Sequence, residues 1–513
     1  MDTKVYLLNV PLENDYKNTL YFTNKAQQQA FFESKIVKSY TNSSYQRKDS
    51  IIRVPDNYDN ISPSINYVMY QNPSFSNKWF YAFVKEVEYK NTESTWIHIE
   101  TDVIQTWLFD YNVKPSFVER EHVNNDTIGL HTVPEGLETG EFVCNGVDYD
   151  NNLDNLVYMM NVTENASNDD RPLAVNVGGV FMAGGFYVFD NVRTLVNVLQ
   201  LFDTAGKGDA VQMLYTAPSK IVGEVGTDAG DFWYPGTESP VTYDKVVSKN
   251  YSLNGYTPRN NKLKCFPFNY LIMSNNNGTE NILHYEKFST DDMTFKVKGV
   301  PVPGCSIKCS PQNYKGISDY QDEGIMAGKF PTCSWSQDLY TNWMTQNGLN
   351  IALGLASSGL TVMGGVGMMA TGAGALAGAG AVVSGGMGIA QTLGQVHQQS
   401  FTPATAKGNT NGGDINTCDK KNGFFYYKMS ITKEFASIID GFFDMFGYKV
   451  NMVKVPNKAH RSRYWYTKTI DVNIDGAIPN NDMQKIKDCY NNGITFWRNA
   501  NEIQDYSLSN NIV

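Results

Sequence analysis

The chain has 513 residues, more than one hydrophobic core usually supports, so about two to four domains are expected. Its net charge of −10 and isoelectric point near 5.2 exclude a nucleic-acid grip through bulk positive charge, because neutralising phosphates takes Lys and Arg. Tyr and Phe are abundant (31 and 27 residues), with Asn and Gly between them, a composition that suits many strands joined by turns better than a helical bundle.

The amino terminus, MDTKVYLLNVPLEND, lacks the basic stretch and apolar run of a secretory signal, and none is expected. Residues 78–89 (KWFYAFVKEVEY) and 95–104 (TWIHIETDVI) partly alternate around a polar turn at 90–94, which predicts a hairpin. Pro115, Pro134 and the glycines at 136 and 140 then break the pattern, placing a boundary near 145–150. Residues 192–203 (VRTLVNVLQLFD) predict a helix. Leu195, Val198, Leu199 and Phe202 recur at helical spacing, Asn191 can cap its start, and Gly206 can end it. A second short helix is expected at 209–215. Strands at 266–274 and 282–288 flank an Asn277-Gly278 turn.

Near the carboxyl end, 424–432 reads as a strand. Residues 433–446 predict a helix with Phe435, Ile438, Ile439, Phe442 and Phe446 on its buried face and Gly447 closing it. Strands at 448–455 and 463–474 and a helix at 482–490 complete the chain.

Between these halves lies an anomaly. Residues 339–406 contain no Asp, Glu, Lys or Arg, although such residues make up 18% of the chain. The centre, 349–396, is apolar and rich in Gly, Ala and Met, in a chain whose mean hydropathy is −0.36. Two pieces, 349–369 and 373–393, each match the roughly 20 helical residues that cross a bilayer. Pairs such as Gly354/Ser358, Gly374/Gly378 and Ser384/Gly388 allow close packing. Yet twelve glycines between Ile351 and Ala390 cost on the order of 10 kcal/mol of helix propensity. A permanent anchor, a buried core helix and an exposed linker each fit poorly, and conditional membrane insertion is the preferred reading. The apolar side chains that carry it are Leu349, Ile351, Leu353, Leu355, Leu360, Val362, Met363, Val366, Met368, Met369, Leu376, Val382, Val383, Met387, Ile389 and Leu393. Helical and β-hairpin forms remain equally open, since lipid demands only that backbone groups be satisfied. The stretch 401–417 (FTPATAKGNTNGGDINT) reads as a flexible tether.

The sequence points to no catalytic, cofactor or metal site. The six His residues form no metal-ligand spacing, and no P-loop or GxSxG is present. Glu119, Glu121 and His122 lie close together, but an extended segment turns neighbouring side chains to opposite faces, so a solvated or interface charge cluster is expected there rather than chemistry. Cys305, Cys309 and Cys333 have no matching His pair, and free thiols are expected. The carboxylate spacing that a glycan hydrolase needs is set by the fold, so sequence names no such pair.

Several long blocks carry a resemblance. They are IETDVIQTWLFDYNVKPSFVEREHV (99–123), DTIGLHTVPEGLETGE (126–141), PTCSWSQDLYTNWMTQN (331–347), RSRYWYTKTIDVNIDGAIP (461–479) and NNGITFWR (491–498). With weaker echoes at 192–218 and 261–288, the chain resembles over its whole length the tail knob, or distal tail tube, proteins of phi29-like short-tailed bacteriophages.

The resemblance implies a mainly β fold with minor helices (α+β), assembled as a homo-hexameric tube at the distal end of the virion tail after synthesis in the host cytoplasm. It implies an N-terminal tube-like module (1–148), a knob insertion (149–263), a second β module (264–348), the apolar membrane-active loop (349–396), a linker (397–417) and a C-terminal segment completing the tube (418–513). The implied partners are an upstream tail or collar protein, a distal tail-tip protein, the host cytoplasmic membrane, and phage DNA passing through the lumen without sequence-specific binding. Trp96, Trp107, Phe109 and Phe117 are expected in core or inter-subunit packing rather than in receptor binding, and Arg461, Arg463 and Lys468 on a solvated strand face or in a subunit salt bridge rather than on DNA. The alternatives from other classes are a receptor-binding adhesin whose loop only plugs the tube, and a peptidoglycan hydrolase.

Overall fold

The computed structural model describes residues 4–41, 43–46, 50–61, 64–71, 78–166, 171–223, 232–276, 278–303, 306–328, 332–334, 408–409 and 423–513. They form two compact units, each gathered from separate stretches. One comprises Met1–Gly140, Pro258–Lys264 and Lys433–Val513; the other comprises Glu141–Thr257 and Cys265–Thr432. Both are mainly β.

In the first unit, a seven-stranded sheet runs in the order Ile36–Tyr40, Lys4–Leu8, Tyr67–Gln71, Trp79–Asn91, Ser94–Thr101, Ile51–Val54, Ser44–Gln46. The expected hairpin is its centre, with Val84 opposite Ile99 and Val87 opposite Ile97. The second expected strand stops at Thr101, three residues early. Asp102 accepts a hydrogen bond from the Gln105 backbone N–H at 3.0 Å and starts a short helix, Val103–Trp107.

A second sheet is built from distant parts of the sequence. Its order is Asn18–Leu20, Ile494–Trp497, Tyr464–Ile470, Ser116–Glu121, Tyr448–Lys454. Asn18–Leu20 and Ile494–Trp497 run parallel, and the Trp497 indole N–H donates to Asn18 Oδ1 at 2.8 Å. Between the sheets lies an aromatic core that includes Phe32, Tyr67, Tyr464, Trp465, Phe496 and Trp497. Phe32 and Tyr67 stack with their rings 5° apart.

The helix Lys433–Phe446 has the expected ends, and Gly447 closes it at φ +63°. Its buried face is different from the expected one. Ala436, Ile439, Asp440 and Phe443 point inward, while Ile438 is 68% exposed. The cause is Asp440, whose carboxylate oxygens accept the backbone N–H groups of Arg259 (2.8 Å) and Asn260 (3.1 Å). A buried carboxylate that satisfies backbone donors is stable inside, so the helix is rotated from the position that apolar spacing alone selects. The last helix, Asn480–Asn492, is longer at both ends than expected and stops at Gly493, φ +94°.

In the second unit, Phe142–Tyr149, Phe425–Ile431, Asn269–Ser274 and Glu280–Leu283 form one antiparallel sheet. Asn269–Ser274 and Glu280–Leu283 form the expected hairpin, with the first strand starting later and the second shifted toward the turn. Residues after Leu283 turn into a 3-10 helix, Tyr285–Lys287. Another sheet has the order Gly185–Phe189, Leu156–Val162, Val211–Pro218, Thr332–Ser334, Gly408–Asn409. The helix Val192–Thr204 covers one face with Leu195, Val198, Leu199 and Phe202. Asn191 caps it, accepting from the Thr194 N–H at 3.0 Å, and Gly206 lies at φ +67° beyond its end.

The second helix expected at 209–215 is absent. Gly208–Ala210 forms a single 3-10 turn, and Val211–Pro218 is an interior strand. Its side chains enter cores on both faces, Leu214 on one and Tyr215 on the other, so it lacks the alternation that marks a half-buried strand.

The rotated helix gives a direct test. Replacing Phe443 with Ala should cost about 3–5 kcal/mol, as for other fully buried aromatic side chains, whereas Ile438→Ser in the unassembled chain should stay within about 0.5 kcal/mol. Chemical denaturation monitored by circular dichroism distinguishes the two faces. Gly447→Ala should also be strongly destabilising, because a Cβ at this positive-φ site runs into the Glu121 carbonyl.

Candidate functional site

The apolar segment has a defined base. Val211–Pro218 pairs with Thr332–Ser334, placing Leu214 opposite Cys333 and Tyr215 opposite Thr332. Thr332–Ser334 pairs in turn with Gly408–Asn409, placing Thr332 opposite Asn409 and Cys333 opposite Gly408. Residues 335–407 are therefore flanked by two neighbouring strands, Thr332–Ser334 before them and Gly408–Asn409 after them. Paired strands lie about 5 Å apart, so this long excursion starts and ends at nearly one point. The inner side of the base is firmly held. Tyr215 is buried, and its hydroxyl donates to the Pro301 carbonyl at 2.9 Å.

All sixteen apolar residues from Leu349 to Leu393 named as membrane-active fall within 335–407, outside the described residues. Among the described residues, no helix is long and apolar enough to cross a membrane.

The 117–123 block turns out to be an ionic framework. Glu119 pairs with Lys468 at 2.9 Å. Glu121 is buried, pairing with Lys454 at 2.6 Å and accepting the Asn457 N–H at 2.8 Å. Arg120 and Lys262 both contact the buried carboxylate of Glu135. Arg461 donates to the carbonyls of Asn510 (3.1 Å) and Val123 (2.7 Å), and Arg463 binds Glu502 at 2.6 Å. Arg463 and Lys468 are thus in ion pairs within the unit, whereas Arg461 is held by backbone carbonyls in place of the expected solvated face or salt bridge.

His122 is fully enclosed. Its Nδ1 accepts the Tyr466 N–H at 2.7 Å, and its Nε2 donates to the Asp444 carbonyl at 3.0 Å, which fixes the neutral tautomer. Burial first, and then the Arg461 guanidinium, push its pKa down to about 3. Cys309 is also buried, with its sulfur 3.2 Å from the Tyr426 hydroxyl, and Cys305 lies outside the described residues.

The aromatic residues divide. Trp107 donates its indole N–H to Asp482 at 2.9 Å, and Trp96 carries the Arg53 guanidinium 4.3 Å above its ring. Phe109 packs against the core. Phe117 is different: it stands directly between Val453 and Ile470 on adjacent strands, and these three side chains are 36%, 70% and 54% exposed. They form an apolar row on the surface of the second sheet. Sequence reading also missed a cleft of about 240 Å³ lined by Tyr21, Tyr111, Trp465, Tyr490 and Phe496. The aromatic density of RYWYTK and ITFW was its only visible trace.

Comparison with known proteins now identifies the class. Residues 2–112 match the caudoviral major tail protein N-terminus, so the sheet built by the amino-terminal segment is that of a phage tail protein. Residues 233–511 match the C-terminal domain of tail knob protein gp9 of Bacillus phage phi29, and the chain belongs to this tail knob family. It is 27% identical to the tail knob protein gp9 of Bacillus phage PZA and to that of Bacillus phage phi29, over 99% of this chain and 98% of each relative. Identity to the gp9 of Bacillus phage B103 is 25%, over 98% of this chain and 97% of that protein. The solved structure of the bacteriophage C1 tail knob protein, gp12, shares the fold, with a TM-score of 0.68 at 15% identity and complete coverage of both chains. The chain is a structural component of a virion tail.

The buried imidazole of His122 makes a pH-dependent prediction. Its folded pKa lies below the ordinary value of 6.5, so its contribution to stability is complete above about pH 6.5 and is lost as pH falls toward about 3. Within that window the loss approaches about 1.4 kcal/mol per pH unit for this one proton. His122→Gln should be less stable than the natural chain at pH 7, with the gap narrowing on acidification. Denaturation curves between pH 7 and pH 4 measure it, and a constant gap would contradict the assignment.

Proposed function

We propose that the chain forms the distal tail tube and knob, conducts the genome through it, and delivers residues 349–396 into the host cytoplasmic membrane. The observation that carries this reading is the base of the excursion. A charge-free apolar stretch enters and leaves through neighbouring rungs of one ladder, so it can change its surroundings without rearranging the unit that holds it.

In this reading, six copies close into a ring. The unit gathered from both chain ends supplies the tube module, and the 149–263 and 264–348 regions supply the knob insertion and the second β module. The exposed row Val453–Phe117–Ile470 is suited to burial against another copy. An upstream tail or collar protein and a distal tail-tip protein complete the conduit. The acidic composition favours a polyanion that slides without adhering, so DNA passes with no sequence-specific contact.

The ring also resolves the energetics of insertion. One glycine-rich loop gains little from lipid against its ordering cost, whereas six tethered to one rim insert at high local concentration. Storage within the particle hides them from water until release, and residues 397–417 act as the tether. The action is conformational, with no bond made or broken in a substrate.

Full-length protein and a variant in which 349–396 is replaced by a short Gly-Ser bridge should be compared for dye release from anionic liposomes across a range of pH. The expected outcome is release by the full-length protein and none by the variant, with both forming rings by electron microscopy. Equal release from the two proteins would eliminate the insertion mechanism.

A further inference from the structure

The second-unit sheet of Phe142–Tyr149, Phe425–Ile431, Asn269–Ser274 and Glu280–Leu283 is apolar on both faces. One face is core, where Leu271, Met273, Leu283 and Tyr426 are buried. An antiparallel sheet packed on one side ordinarily turns polar residues outward on the other. Here the register places Val147, Tyr427, Ile272 and Ile282 on a single rung that crosses all four strands on the outer face. Val147 and Ile282, at its two ends, are 49% and 47% exposed, and Tyr427 and Ile272 between them are half-buried. The Tyr427 hydroxyl already donates to Asn276 at 2.8 Å, so the ring offers its apolar body.

The neighbouring rung continues this surface with Cys144, Met429 and Tyr270, and Phe142 packs edge-on against Tyr270 with centroids 5.5 Å apart. Phe142 and Cys144 are exposed, and Met429 is half-buried. On the other side lie Tyr149, Phe425 and Ser274, and the sole charge on these rungs is Glu280, at the start of an edge strand. A contiguous apolar surface of this kind marks a docking site.

The chain itself supplies the occupant. Thr332–Ser334 and Gly408–Asn409, which flank 335–407, belong to the unit that carries the face. Gly408–Asn409 is joined to Phe425–Ile431, an interior strand of the face, through residues 410–422, which span at most about 50 Å. Residues 349–396 carry no charged group, so burying them on an apolar face leaves no ion to desolvate. Their glycines and alanines allow close approach to a sheet, and their methionines fit an irregular surface. A tether of this length also holds the segment at an effective concentration of about millimolar, whereas a second copy is present only at its bulk concentration.

We propose that, before release, residues 349–396 dock on this outer face, with Val147, Tyr427, Ile272 and Ile282 as the contact rung. This rests on the reading that the segment is stored and later inserted, and it names the contact that release must break.

Cys144 stands on the face and supplies the probe. Its alkylation by N-ethylmaleimide in the full-length protein, without lipid, is followed by peptide mass spectrometry. The comparison is the variant in which 349–396 is replaced by a short Gly-Ser bridge, each over a range of protein concentration. The rate follows the uncovered fraction, so the natural chain should react about ten-fold more slowly than the bridge variant at every concentration. Ile282→Asp, at an exposed position, should restore fast labelling in the full-length chain and change neither labelling nor thermal melting of the bridge variant. Equal rates in the natural chain and the bridge variant would overturn the proposal, as would slow labelling that survives Ile282→Asp. Protection that persists in the bridge variant and rises with concentration would overturn it in favour of a second copy. Dye release reads insertion separately: an uncovered face with release intact ends the storage contact alone, and a covered face without release ends insertion alone.

Discussion

The pairing on which the first unit depends joins the two ends of the chain. Asn18–Leu20 lies parallel to Ile494–Trp497, and Ser116–Glu121 is held between Tyr448–Lys454 and Tyr464–Ile470. A core shared in this way needs both termini, and the intervening sequence can leave it and return. Buried polar groups fix the register. Gln105 donates to Thr19 Oγ1 at 2.9 Å and to the Leu20 carbonyl at 2.8 Å, and Asp440 collects the backbone of Arg259 and Asn260. An apolar exchange at either position would leave donors or acceptors unsatisfied, so these contacts specify one arrangement over near alternatives.

The same economy recurs in the second unit. Its sheet containing Val211–Pro218 draws strands from residues 156 to 409, and the apolar excursion is inserted at its last rung. The two strands that flank the segment lie at the edge of this sheet. The entropy of closing a loop also grows only with the logarithm of its length, so the insertion adds little cost to folding.

Much of the local structure was legible. The hairpin at 79–101, the helix Val192–Thr204 and its Asn191 cap, and the ends of the helix Lys433–Phe446 all follow from period and capping chemistry. The errors have physical causes. Asp440 is a carboxylate inside a core, and an apolar-face rule assigns such a residue outward. Val211–Pro218 is buried on both faces, so strand alternation is erased and a short helical spacing takes its place. Pairing between residues more than three hundred positions apart, such as Phe117 with Val453, leaves no periodic trace. The aromatic cleft was hidden for the same reason, since Tyr21, Tyr111 and Trp465 meet only after the termini join. The apolar segment was legible because missing charge is a property of composition alone.

The ladder at the base of that segment also sets how it responds to load. Tension on residues 335–407 acts on Thr332–Ser334 and Gly408–Asn409 from the same end, so it opens their rungs one after another instead of shearing them together. Among the described residues, the returning strand has one neighbour, whereas Thr332–Ser334 has a second ladder to Val211–Pro218. The joint is therefore asymmetric: under load the return side would peel first, while the departure side keeps its second ladder to Val211–Pro218.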